Sequence, residues 1–165
     1  MSNNTTQTRI RNVKPEDLDA VILMTENRRL QYQEYQPVFW RKAENSAQKA
    51  LAFMEQLMSR GDTVFLVSER NGRVNGFLLA TEIKAPPVYD PQGATFQIVD
   101  FCVLTPDLWE DSGRLLLSEA RSILKQKGAA QIVVVCGDRD LPKAAMLRGE
   151  DLSIASSWWT QPLDS

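Results

Sequence analysis

Between Phe96 and Cys136 the chain reads FQIVDFCVL, a short turn, SGRLLLSEARSILKQKG, and then QIVVVC. An apolar strand-like run, a run with helical spacing and a second apolar run of strand length can share one sheet only through a crossover, and such β-α-β crossovers are right-handed. The unbroken apolarity of Gln131–Cys136 suits a strand covered on both faces. This unit commits the chain to a partly parallel sheet with at least one helix packed on it.

The remaining segments add to that unit. Arg9–Val13 alternates as a short first strand, and Lys14-Pro15-Glu16-Asp17 reads as a helix entry, with Pro in the first turn and acids at the positive end of the dipole. Leu18, Val21, Ile22 and Leu30 keep helical spacing until Tyr32, Tyr35, Pro37, Phe39 and Trp40 interrupt it with an aromatic loop or a short turn of helix. Ser46–Arg60 carries one apolar stripe and is stopped by Gly61-Asp62. Strands over Thr63–Glu69 and Val74–Glu82 flank Asn71-Gly72, a hairpin signal because both residues tolerate positive φ. A Pro-rich loop over Lys84–Gly93 leads to a strand, Thr95–Leu104, and a helix, Ser112–Lys127. After Gln131–Cys136, a short helix, Pro142–Arg148, and a last strand, Ser153–Thr160, are expected.

The expected fold is α/β (α+β): a mixed, twisted, mostly antiparallel sheet with a central parallel crossover and helices on both faces. It is expected to be one domain over residues 1–165, with residues 1–7 as a flexible lead-in.

Composition narrows the chemistry. A formal net charge of -2 gives no general reason to expect nucleic acid or an anionic membrane as partner, since both require a concentrated basic surface. No apolar run reaches the roughly 20 residues that span a bilayer, and the polar start MSNNTTQTR has no signal-peptide core, so a cytoplasmic setting is expected. Cys102 and Cys136 lie in apolar strand runs and read as small buried hydrophobes. The absence of histidine removes Ser-His-Asp and Cys-His catalysis and the commonest zinc shells, and no metal site is expected.

One residue stands out within the apolar runs. Asp100 interrupts Ile98-Val99-Asp100-Phe101-Cys102, and a carboxylate inside a sheet needs either a partner or a task. It is the candidate general base, set against a structural role bonded to backbone or to a basic side chain; Glu82 is the weaker alternative. Trp158-Trp159 read as one ring in the core and one at an edge or a subunit interface, and an exposed last strand would suit a homodimer.

The element order, together with RIRNVKPEDLDAV, DFCVLTPDLWEDSGRLLLSEARSILKQKGA and DLPKAAMLRGEDL, resembles the GNAT acyltransferases (Gcn5-related N-acetyltransferases) over roughly residues 8–162. The resemblance implies acetyl-CoA as cosubstrate. It would lie in a cleft where Gln97–Leu104 splays from Gln131–Cys136, its pantetheine arm pairing with the backbone of Cys102, Val103 and Leu104. The family's turn, Q/R-x-x-G-x-G/A, offers helix-start amides to the pyrophosphate. Aligned on Gly113, this chain has Leu108-Trp109-Glu110-Asp111-Ser112-Gly113 followed by Arg114. Ser112, Gly113 and Arg114 are thus the cofactor-binding candidates, while Leu108 and Asp111 replace the family's Q/R and middle glycine. A pyrophosphate facing Glu110 and Asp111 would lose about 1–4 kcal/mol. The family's proton-donating tyrosine falls at Leu147. Two readings follow from the resemblance. One is an N-acetyltransferase that acts by direct transfer on a small-molecule or protein amine. The other is a non-catalytic domain of the same fold that has lost efficient CoA binding.

Overall fold

The computed structural model describes residues 7–163; the expected lead-in, apart from Gln7, lies outside them. Five strands form one sheet in the order β1-β2-β3-β4-β5: Arg9–Asn12, Thr63–Arg70, Arg73–Ile83, Ala94–Val103 and Ala129–Val134. The first four are antiparallel to their neighbours, and β4 and β5 are parallel across α3, Ser112–Gln126. The turn between β2 and β3 has Asn71 at φ 54° and Gly72 at φ 71°, the two positive angles of a tight hairpin whose twist matches its strands.

Alternation along β2 divides the core. Val64 and Leu66 face α3 and α4 (Leu141–Gly149), joining Leu116, Leu117, Ala120, Leu124, Met146 and Leu147. Phe65 and Val67 face the opposite side, joining Leu18, Val21 and Met24 of α1 (Leu18–Tyr35) and Met54 and Leu57 of α2 (Ser46–Met58). The mixed sheet with helices on both faces is as expected.

Two local expectations are corrected. Tyr32 and Tyr35 do not interrupt α1; the helix runs through both, because Tyr32 is buried and its contacts outweigh the loss of apolar spacing. Ser153–Thr160 forms no strand: it leaves α4 after a left-handed Asp151 (φ 62°) and runs exposed without a ladder partner among the described residues. Its apolar side chains find no face of the sheet to cover: Ile154 stays outside, and so do both tryptophans, at 82% (Trp158) and 94% (Trp159) exposure. Trp158 makes an edge contact with Phe39, centroids 5.9 Å apart. The expected core position for one of these rings is therefore wrong, and the homodimer argument loses the strand on which it rested. Among the described residues no helix is long and apolar enough to cross a membrane.

Candidate functional site

The parallel ladder between β4 and β5 ends at Ile98 and Val134, while β4 continues to Val103. The strands part there, leaving backbone groups of Val99–Val103 without a β5 partner. A β-bulge lies at the same place: Leu79 pairs with Asp100 but the adjacent Ala80 pairs with Ile98, so Val99 is the extra residue. Without it, alternation would place Asp100 on the side of Phe96 and Ile98, under α3. The bulge turns it to the α1 side, which is how bulges re-aim a side chain.

On that side Asp100 meets Arg28 of α1. Arg28 Nη1 donates to Asp100 Oδ1 at 2.5 Å, and the Cys102 thiol lies 3.7 Å from the same oxygen. Asp100 is buried, so the guanidinium is the partner its charge requires. Asp100 Oδ2 has no hydrogen-bond partner among the described residues. Cys102 is a poor nucleophile here: burial pushes its thiol up to about 12, against the pull of Arg28. Glu82, the other candidate base, is exposed on β3 opposite Phe96.

Two cavities meet at this point. One, of about 290 Å³, lies between α1, α2 and β4 and is lined by Asp100, Arg29, Trp40 and Phe53 among others. The second, of about 270 Å³, lies over Cys102, Val103 and Leu104 at the mouth of the splay, bounded by Trp109, Arg139 and Asp140. Arg28 and Tyr32 line both, and the guanidinium carbon of Arg28 sits 5.7 Å from the Tyr32 ring centre. The Tyr32 hydroxyl donates to Asp140 Oδ2 at 2.5 Å and accepts from Gly137 N–H at 3.2 Å. Burial, reinforced by Asp140, raises the Tyr32 phenol well above its usual range, so it holds its proton. Gly137 has to be glycine: an added Cβ would lie 2.8 Å from the Tyr32 ring and closer still to the Tyr35 hydroxyl.

Glu26 organises the outer wall of the first cavity. It accepts from Arg29 at 2.7 Å, Lys42 at 2.7 Å and Ser46 at 2.8 Å. Burial alone would raise this carboxyl, but the bonds from Lys42, Ser46 and Arg29 win and bring it down to about 2. A carboxylate held below its unfolded value of 4.5 stabilises the fold above that pH, and the contribution fades as pH falls toward 2. Wild type is therefore expected to lose up to about 3 kcal/mol more than Glu26→Gln on acidification from pH 5 to pH 2, read by denaturant melts. Equal acid sensitivity would show that Glu26 is not coupled to folding.

The turn before α3 is built differently from a phosphate cradle. Pro106–Glu110 winds into a 3-10 turn that buries Trp109 against Phe101, ring centres 4.8 Å apart. The indole lies directly on Gly113, where an added Cβ would fall 2.7 Å from its Cε3. The glycine is thus needed for a tryptophan. Ser112 is fully buried, with its hydroxyl 3.3 Å from Asn75 Oδ1. Asp111 occupies the cap position without capping through its side chain; its carboxylate pairs with Arg70 and lies 3.3 Å from Thr8 Oγ1. Arg114 is held by Glu110 at 2.9 Å and Glu150 at 3.5 Å, and Arg121 also bonds Glu150, tying α3 to the end of α4. Lys143 of α4 fills the seam from the same side, donating to the Phe101 carbonyl at 3.1 Å between the Phe101 and Trp109 rings. It is almost wholly buried, and burial together with nearby Arg28 pulls its amine below the usual lysine range. Leu147, where the resemblance implies a tyrosine, packs in the core.

These residues fit one part of CoA better than another. The unpaired β4 edge would suit a pantetheine arm, whereas Trp109 seated on Gly113, with Glu110 and Asp111 at the helix start, makes a poorer cradle for the diphosphate than a glycine turn.

Arg28, Tyr32 and Asp140 line the candidate site, and local sequence pattern marks none of them for that position. Arg28 reads in the sequence as one of several charged residues along the first helix, and Tyr32 as one of an aromatic group. Their partners lie 72 and 108 residues away, which local patterning does not reach.

No family model matches the sequence, and no curated protein matches it. Solved structures do match. A mutant form of the BH1408 protein of Bacillus halodurans superposes with a TM-score of 0.81 at 16% identity, over 94% of this chain and 99% of that one. An aminoglycoside N-acetyltransferase, AAC(6')-Iy, in complex with CoA gives 0.72 at 10% identity over 100% of both chains. A predicted acetyltransferase of Clostridium acetobutylicum with acetyl-CoA gives 0.72 at 11% identity, over 94% of this chain and 96% of that one. The chain has the fold of the GNAT acetyltransferases.

Proposed function

We propose that this chain is a GNAT-fold N-acyltransferase that passes an acetyl group from acetyl-CoA to an amine. The observation that carries this reading is the pair of cavities with a common wall of Arg28 and Tyr32, one on the unpaired edge of β4 and the other containing Asp100. The backbone of Cys102, Val103 and Leu104 would hold the thioester arm, and Asp100 Oδ2 would receive the acceptor amine. The departing thiolate would take the proton that Asp100 removes from the amine, while Tyr32, whose hydroxyl is committed to Asp140 and keeps its proton, would shape the shared wall. A binding domain without catalysis is the second reading, favoured by the indole on Gly113.

The test is thiol release from acetyl-CoA with a panel of small amines, alongside calorimetry of acetyl-CoA. Asp100→Asn is expected to lower kcat at least about tenfold with acetyl-CoA affinity unchanged. Unaltered kcat would remove Asp100 from the chemistry. No acetyl-CoA binding, either to wild type or to a variant lacking the Trp109 ring, would leave the second reading standing.

A further inference from the structure

The cavity between α1, α2 and β4 has a chemical character of its own. Its apolar lining comes from Trp40, Phe53, Met54 and Val99, with Phe53 half exposed. Its polar lining comes from Arg28, Arg29, Tyr32 and Asp100. Arg28 and Arg29 each use only Nη1 in bonding: Arg28 to Asp100, and Arg29 to Glu26 and Thr25. Their other guanidinium nitrogens have no hydrogen-bond partner among the described residues and are not among the buried orphan atoms, so they face open space. The linked charges around this wall are Arg28, Arg29 and Lys42 against Asp100 and Glu26, an excess of one cation. At about 290 Å³ the cavity falls at the small end of ligand sites, which begin near ~300 Å³.

A ligand that uses all of this must bring an anion for the guanidinium edges, an amine for Asp100 Oδ2 and an apolar body for the Trp40 and Phe53 side. A planar carboxylate matches the unused donors of a guanidinium better than any neutral group. We infer that the cavity takes a free amino acid with an aromatic or large apolar side chain, its carboxylate on the free edges of Arg29 and Arg28 and its amine at Asp100. This rests on reading the cavity as the acceptor side of the proposed transfer, but its test does not require the donor.

L-Phenylalanine and L-leucine are titrated by calorimetry into the wild-type protein without acetyl-CoA, beside phenethylamine and isopentylamine, their counterparts lacking the carboxylate. The amino acids are expected to bind at least about tenfold more tightly than the amines, the worth of one charge-assisted bond. Arg29→Met is expected to erase that preference while the protein stays folded, since Glu26 keeps Lys42 and Ser46; Arg29→Lys should restore part of it. Amines binding as tightly as the amino acids would overturn the inference. So would a preference that survives Arg29→Met, or the absence of binding by both amino acids at millimolar concentration. Binding of the amino acids with no thiol release from acetyl-CoA would instead leave this inference intact and sink the proposed transfer.

Discussion

Trp109→Ala is expected to destabilise the fold by about 3–5 kcal/mol and, at the same time, to tighten acetyl-CoA binding. The two effects have one cause. The indole is buried against Phe101, beside Lys143, and lies on Gly113, so its removal opens a cavity in the α3–α4 core and clears the first turn of α3. That turn is where helix-start amides would meet a diphosphate. Denaturant melts read the first effect and calorimetry the second. A loss of stability with no gain in affinity would mean that the charges of Glu110 and Asp111 exclude the diphosphate, whatever the ring does. Asp111 is already paired with Arg70, so Glu110 would then be the next residue to neutralise, although it too has a partner in Arg114.

The second large effect is expected at Arg28. Arg28→Met leaves Asp100 charged in a site where it is only 9% exposed, and should cost about 3–5 kcal/mol. Asp100→Asn placed on top should recover a large part of that loss, because the penalty lies in the unpaired charge. A double-mutant cycle measured by denaturation gives the coupling directly. Losses that simply add would show that Arg28 contributes by packing on Tyr32. The same cycle bears on the proposed function, in which Arg28 would hold Asp100 where its second oxygen receives the amine.

The sequence was most legible where structure is local. Asn71-Gly72 announces the β2–β3 hairpin, the stripe of α3 begins at Ser112 as its apolar spacing indicates, and the two apolar runs around it pair in parallel. Legibility failed where a distant partner decides. Asp100 shows in the sequence as an intruder in an apolar run, but its direction depends on a bulge at Val99 and its state on an arginine in α1. Gly113 looks the same in the sequence whether phosphate or indole approaches it. Asp111 stands at a helix start as a capping residue should, yet Arg70 of β2 draws its carboxylate away. Ser153–Thr160 has strand-like spacing, but the structure gives it no partner along the sheet.

The strand order β1-β2-β3-β4-β5 also bears on how the chain assembles. Every strand lies beside its neighbour in sequence, so the sheet can grow outward from the two-residue turn at Asn71-Gly72, with β4 and then β5 added in the order in which a ribosome releases them. β1 is the exception: it must close a loop containing both α1 and α2 before it reaches β2. Loop closure becomes more costly with length, though slowly, so β1 is expected to dock after the rest. Arg28 and Tyr32 are carried on the element that follows β1. If α1 docks with β1, the wall between the two cavities is expected to gain hydrogen-exchange protection later than the strands it divides.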